Sequence, residues 1–209
     1  MTKIVLYIAQ SLDGYIADTK GGIAWLEAFN QPGEDYGYAT FIKTVGAAFM
    51  GASTYRQMLD LGWKWPYPAH MKAYVFSHRR LNEIKDGNVE FVSGNVQEIV
   101  EKARKEIRKD DDKRRHHPDA WLVGGGDVVR QFLEADLVDE IMLFDIPVFL
   151  GNGIPLFQLG QAGRHEKKNA SNAVKPFQLL QTKKYKSGLV LRHYAKAAGV
   201  RGQPKKQTD

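Results

Sequence analysis

The chain has 209 residues, a formal net charge of +6, 43% hydrophobic and 26% charged residues, and no cysteine. Such a length and composition suit one globular domain with a sizeable core, and the missing cysteine excludes disulfides, zinc–thiolate sites and thiol catalysis. No run approaches the ~20 apolar residues that span a bilayer, and the N-terminus lacks a secretory pattern, so a cytoplasmic protein with no membrane partner is expected. The positive charge favours anionic small molecules. It does not read as a nucleic-acid surface, because Lys113-Arg114-Arg115 directly follows Asp110-Asp111-Asp112 and the two blocks cancel.

Lys3 to Ala9 is apolar and β-branched and reads as a buried first strand. Ser11 to Gly22 has the Gly/Asp/Ser punctuation of a long loop. Tyr38, Phe41, Ile42 and Val45 fall at helical spacing, with Asp35 near the start. Ala47 to Met50 reads as a strand ending at Gly51, and Ser53-Thr54 as the cap of a helix through Leu59. Ala73 to Ser77 and Val89 to Val92 are further strands. Val96, Ile99, Val100, Ala103 and Ile107 line one face of a helix, and Lys109 to Asp119 reads as a solvated loop.

Ala120 to Val123 is a strand running into three glycines and a helix that buries Val129, Phe132 and Leu133. Glu140 to Val148 is a strand, and Gly151 to Gly163 a Gly/Pro-rich excursion. Phe177 to Tyr185 and Gly188 to Tyr194 form a closing hairpin around Lys186-Ser187. Strands alternating with helices predict an α/β fold with a mostly parallel sheet and an antiparallel C-terminal edge. Residues 1–196 are expected to form a single domain and 197–209 a disordered basic tail.

Two strand–glycine–helix junctions carry the chemistry: Phe49-Met50-Gly51-Ala52-Ser53-Thr54-Tyr55 and Leu122-Val123-Gly124-Gly125-Gly126-Asp127-Val128. A helix N-terminus offers unpaired N–H groups and partial positive charge, and glycine lets a phosphate approach the backbone. Neither junction matches the dinucleotide fingerprint of a Rossmann fold or a P-loop. Each glycine could equally serve a tight turn.

Four segments resemble the dihydrofolate reductase superfamily, in particular the reductase domain of the bifunctional riboflavin-biosynthesis deaminase/reductase. They are Ser11-Leu12-Asp13-Gly14-Tyr15-Ile16-Ala17, Met50-Gly51-Ala52-Ser53-Thr54-Tyr55, LVGGGDVVRQFLEADLVDEI from Leu122 to Ile141, and PVFLGNGIPLF from Pro147 to Phe157. The resemblance implies a three-layer α/β sandwich. It implies NADPH as cofactor, with the pyrophosphate on Gly51, Ser53 and Thr54 and on Gly124, Gly125, Gly126, Asp127 and Val128. It places the adenosine 2′-phosphate at Ser77, His78 and Arg79, and a cis bond at Gly124-Gly125. It also implies hydride transfer to a pyrimidine- or pterin-type substrate, as in a 5-amino-6-(5-phosphoribosylamino)uracil reductase of riboflavin biosynthesis. The partners it allows are a small-molecule substrate and a second copy of the chain as a homodimer.

The sequence departs from that family where Ala52 replaces the usual arginine, and where no ribosyl-phosphate segment is matched between Phe29 and Leu61. Asp13 and Asp35 are the candidate acids for orienting a substrate edge and assisting protonation. Turn chemistry in Asp-Gly and helix capping are their respective structural alternatives. Trp25, Trp63 and Trp65 could wall a substrate or belong to the core. His116-His117 has no metal-ligand partner spacing, so no metal is expected. A catalytically silent nucleotide- or pterin-binding protein on the same fold is the alternative function.

Overall fold

A computed structural model describes residues 2–60, 68–78, 88–110, 118–158 and 175–197. Eight strands form the main sheet: β1 (Ile4–Ser11), β3 (Val45–Gly51), β4 (Lys72–Phe76), β5 (Val89–Val92), β6 (Asp119–Gly124), β7 (Glu140–Ile146), β9 (Phe177–Lys184) and β10 (Val190–Lys196). Their order is β5-β4-β3-β6-β1-β7-β10-β9. The pairs from β5 through to β7 are all parallel, and β10 runs antiparallel to both β7 and β9. The antiparallel C-terminal edge expected from the sequence is therefore present, and its turn is held by the Gly188 N–H donating to the Tyr185 carbonyl at 3.0 Å. Residues 198–209 of the basic tail expected at 197–209 lie outside the described residues, as do Trp63, Trp65, Arg79, Arg80 and His116-His117.

Side chains alternate across a strand, and the two faces separate cleanly. Ile4 and Leu6 of β1, Phe49 of β3, Tyr74 of β4, Leu122 of β6 and Leu143 of β7 share one core. Two helices cover it, α3 (Val96–Asp110) and α4 (Gly126–Glu134), through Ile99, Val100, Ala103, Val129, Phe132 and Leu133. Val5, Ala48, Met50, Val75 and Trp121 point the other way, beneath α1 (Tyr38–Ile42) and α2 (Ala52–Asp60). Val45 and Ala47 lie on opposite faces although two residues apart, because the pairing with β6 shifts register between them. A third cluster of Phe144, Ile146, Tyr185, Leu189 and Leu191 takes in Trp25, Leu26 and Phe29 of a 3-10 helix (Ala24–Phe29). The result is a three-layer α/β sandwich.

Several boundaries differ from the periodicity. The helix expected to run from Tyr38 through Val45 stops at Ile42, where Thr44 turns the chain by donating to the Phe41 carbonyl. Val45, fully buried, belongs to the strand instead. Helix α2 opens at Ala52, so Ser53 and Thr54 stand inside its first turn, not before it. The loop placed at 109–119 is shortened from both sides, by α3 reaching Asp110 and β6 starting at Asp119. The two excursions at 11–22 and 151–163 contain the short strands β2 (Tyr15–Ala17) and β8 (Ile154–Pro155), which pair with one another. Three and two residues are too short to show a period.

Phe132 is fully buried on α4, 5.1 Å from the Phe49 ring and 5.8 Å from the Phe76 ring, centroid to centroid. Phe132→Ala should lower unfolding stability by about 3–5 kcal/mol, read from urea denaturation, because the surrounding aromatic rings cannot collapse into the space.

Candidate functional site

Strands β3 and β6 are neighbours, with Met50 opposite Gly124. The helix after β3 packs on the second face and the helix after β6 on the first. Connections that part in this way open a crevice at the carboxyl ends of the strands. Gly51 and Gly124-Gly125 stand on its two sides. One hydrogen bond spans it: the Gly125 N–H donates to Thr54 Oγ1 at 3.0 Å. The Gly124-Gly125 peptide bond is cis, as the resemblance implies.

The three glycines of the second junction do different things. Gly124 has φ +118, a conformation that L side chains rarely adopt. At Gly126 a Cβ would lie 2.4 Å from the Pro155 carbonyl oxygen, so this glycine is required by packing. At Gly125 a Cβ would meet Thr54 Oγ1 at 3.6 Å and Ile16 Cδ1 at 4.0 Å, which are ordinary contacts. Gly125 is also the N-cap of α4 and supplies no side-chain cap. The first intrahelical bond is from the Val129 N–H to the Gly125 carbonyl at 3.0 Å. The N–H groups of Gly126, Asp127 and Val128 therefore point out of the helix end, where a phosphate is favoured.

Asp127 does not oppose such an anion from inside the crevice. Its carboxylate accepts from Arg130 Nη2 at 2.8 Å and Gln131 Nε2 at 3.0 Å, along its own helix. Arg130 is 8% exposed and also donates to Glu134 at 2.7 Å. The next strand along, β4, ends at Phe76 opposite Gly51. The Ser77 N–H donates to the Val92 carbonyl at 3.0 Å, and His78 beyond it is exposed. Gly124, Gly51 and Ser77 thus follow three adjacent strands, a span of roughly 10 Å at the usual strand spacing. Ser53 is exposed on the first turn of α2.

The two excursions meet beside this crevice. The Leu12 N–H donates to the Val148 carbonyl at 2.9 Å, and the Leu156 N–H to the Gly14 carbonyl at 3.0 Å. Gly153 lies so close to Ala17 that a Cβ would sit 2.2 Å from its carbonyl oxygen. Asp13 is tied into the same seam. Its Oδ1 accepts from Ser11 Oγ at 2.5 Å and from the Leu150 N–H at 3.2 Å, and its Oδ2 accepts from the Gly151 N–H at 2.8 Å. The Ser11 hydroxyl, followed by the Gly151 and Leu150 amides, holds the Asp13 carboxyl below the usual range.

Asp35 stands elsewhere. It is exposed, and its two oxygens accept from the Gly37 and Ala39 N–H groups at 2.9 Å each, capping α1. Those two amides lower its pKa in turn. The structure thus does not bring the two aspartates together, and it gives Asp35 the capping contacts. Trp25 packs against the third core cluster. Sequence reasoning missed the Thr54–Gly125 bond and the ties from Asp13 to Leu150 and Gly151. Both join segments far apart in the chain, and no local spacing signals them.

Two outcomes test this geometry. Gly125→Ala should fold with stability within about 1 kcal/mol of the parent, whereas Gly126→Ala and Gly153→Ala should each lose about 1–3 kcal/mol by overpacking, all read from thermal melts. Asp13 is held low in the folded state, so its contribution to stability is complete above the ordinary aspartate range and is lost as pH falls through the lowered folded value. Ser11→Ala removes the largest cause and should move the Asp13 carboxyl titration, followed by NMR, to higher pH.

Comparison with known proteins places the chain. Residues 2–191 match the model of the RibD C-terminal domain family. The uncharacterized protein YwjB of Bacillus subtilis (strain 168) is 34% identical over 195 residues, covering 93% of this chain and 98% of its own. A putative riboflavin biosynthesis protein from Shewanella sp. PV-4 superposes with TM-score 0.71 at 28% identity, covering 95% of this chain and all of that one. A dihydrofolate reductase from Enterococcus faecalis, complexed with NADP(H), shares the fold at TM-score 0.58 and 14% identity, covering 94% and 97%. The chain belongs to the RibD C-terminal domain family.

Proposed function

We propose that this chain is an NADPH-dependent oxidoreductase that reduces a pyrimidine- or pterin-type small molecule in the cytoplasm. The observation that carries the reading is the uncapped, glycine-built N-terminus of α4 facing Thr54 across the β3–β6 crevice. The fit to a dinucleotide is supported by what is already satisfied. Asp127 is engaged along its helix by Arg130 and Gln131, and Gly125 leaves the space in front of the helix end open.

In this reading the Gly126, Asp127 and Val128 N–H groups and the Thr54 hydroxyl hold the pyrophosphate, with Gly51 and Ser53 on the opposite bank. Ser77, His78 and Arg79 hold the 2′-phosphate. A hydroxyl and a guanidinium suit that dianion. When bound, the nicotinamide supplies the hydride. The chain's own contribution is to bind, orient and exclude water. Asp13 and Asp35 are both kept anionic by N–H and O–H donors. At neutral pH each therefore acts as a fixed negative charge able to orient a substrate edge and raise the basicity of the accepting nitrogen.

The same observation favours a second reading, a nucleotide- or pterin-binding protein without catalysis, since both candidate acids are engaged in structural bonds. Thermal shifts and turnover separate the two. NADPH at about 100 times its Kd should stabilise the protein by about 2.7 kcal/mol, or about 5–10 °C in a domain of this size. NADH at the same concentration should shift it less. Gly125→Ala should keep the fold and lose the NADPH shift. Equal shifts with both cofactors overturn the 2′-phosphate assignment, and no shift with either overturns the site. Binding without oxidation of NADPH across pyrimidine and pterin substrates establishes the silent reading.

A further inference from the structure

Asp13 sits where two separate paths to the α4 junction begin. On one side its Oδ1 accepts a hydrogen bond from the Ser11 hydroxyl, and Ser11 Oγ in turn accepts from the Tyr15 N–H at 3.0 Å. Tyr15 opens β2, whose next residue, Ile16, places its Cδ1 4.0 Å from the position a Gly125 Cβ would take. On the other side Asp13 accepts from the Leu150 and Gly151 N–H groups. That segment leads through Gly153, pressed under the Ala17 carbonyl, to Pro155 of β8. The Pro155 carbonyl oxygen lies 2.4 Å from the Cβ position of Gly126, so it bears on the first residue of α4.

We propose that Asp13 is a positioning residue for the anion-binding end of α4, acting through the two loops it ties together. The inference rests on the reading of that helix end as the pyrophosphate site, and it assigns Asp13 no contact with the reacting atoms. The physical argument is one of shape. The N–H groups of Gly126, Asp127 and Val128 hold a phosphate only if the helix end and its flanking strands keep one geometry. Ile16 sets that geometry from one side and Pro155 from the other. The Asp13 carboxylate reinforces the backbone bonds between the segments that carry them, because it accepts from both at once. Charge-assisted bonds of this kind are stronger than neutral ones. An amide at position 13 can keep one oxygen acceptor but presents an NH2 group to the second loop, so it retains part of the brace. Alanine retains none.

The test uses two ligands on the full chain. NADPH requires the α4 end, whereas adenosine 2′-monophosphate carries the 2′-phosphate and neither phosphate of the pyrophosphate. By calorimetry, Asp13→Ala should weaken NADPH by about tenfold and leave adenosine 2′-monophosphate within about twofold, with Asp13→Asn between parent and Asp13→Ala. Amide hydrogen exchange of the ligand-free protein should quicken at Gly125 and Val129, whose N–H groups are hydrogen-bonded to Thr54 Oγ1 and to the Gly125 carbonyl, in Asp13→Ala more than in β4 or α3. Unchanged NADPH affinity, or equal loss of both ligands with exchange quickened throughout, overturns the proposal. If the parent binds no NADPH, the cofactor reading fails by itself. The exchange at Gly125 and Val129 then decides the brace: local quickening sustains the coupling, and none overturns it.

Discussion

Strands β3 and β6 lie side by side and send their helices to opposite faces of the sheet, and the bond from the Gly125 N–H to Thr54 Oγ1 spans the gap this leaves. The crevice owes its existence to that divergence. Chain order makes it unavoidable, since the chain runs outward from β3 to β4 and β5 and then returns to lay β6 between β3 and β1. α3 makes the return over the first face, and α4 continues from there. Both glycine-bearing ends then fall next to each other although more than seventy residues separate them. The cross-bond keeps the two helix openings in register.

The roof of the crevice depends on the same frame. β2 and β8 together make a sheet of only five residues, too little to be stable by itself. They hold because they are pressed against something fixed: Gly153 beneath Ala17, and Pro155 against Gly126. Two glycines are therefore spent on bringing backbones together and one, Gly125, on leaving space. A run of three glycines that looks uniform in the sequence divides in the structure into a conformational, an open and a close-packed position.

Much of the fold was legible in the sequence because buried strands and amphipathic helices leave strong marks. The apolar run at Ile4–Leu6 and the face formed by Ile99, Val100 and Ala103 are found where their periods put them. The hairpin was legible from Gly188 and the paired apolar runs around it. Legibility failed where tertiary contact overrides local pattern. Val45 continues the helical spacing of Tyr38 and Phe41, yet the sheet claims it because it is fully buried there. Of the candidate site, the two strand–glycine–helix junctions were readable as local structure, since an apolar run ending in glycine and followed by a helical period marks each of them. What Asp13 does was not. Its Asp-Gly context speaks of a turn, and its partners Leu150 and Gly151 offer backbone N–H groups that any residue other than proline would supply.

That last point bears on how such a site keeps its character while its side chains drift. The groups proposed to meet the pyrophosphate are mostly backbone N–H groups, and the groups that brace them are backbone too: Pro155 through its carbonyl, Ala17 through its carbonyl, Leu150 and Gly151 through their amides. Backbone donors require a conformation and do not require an identity. The positions that must be conserved for them are those where a side chain would intrude or a φ would be disallowed, namely Gly124, Gly126 and Gly153. Side-chain contributions are few, Thr54 and Asp13 above all, and these are the ones whose loss a neighbour cannot replace. Ala52, where the resemblance implies an arginine, fits this division. It removes a side chain from the first turn of α2 but leaves the Gly51 turn and the Thr54 hydroxyl where the sheet puts them.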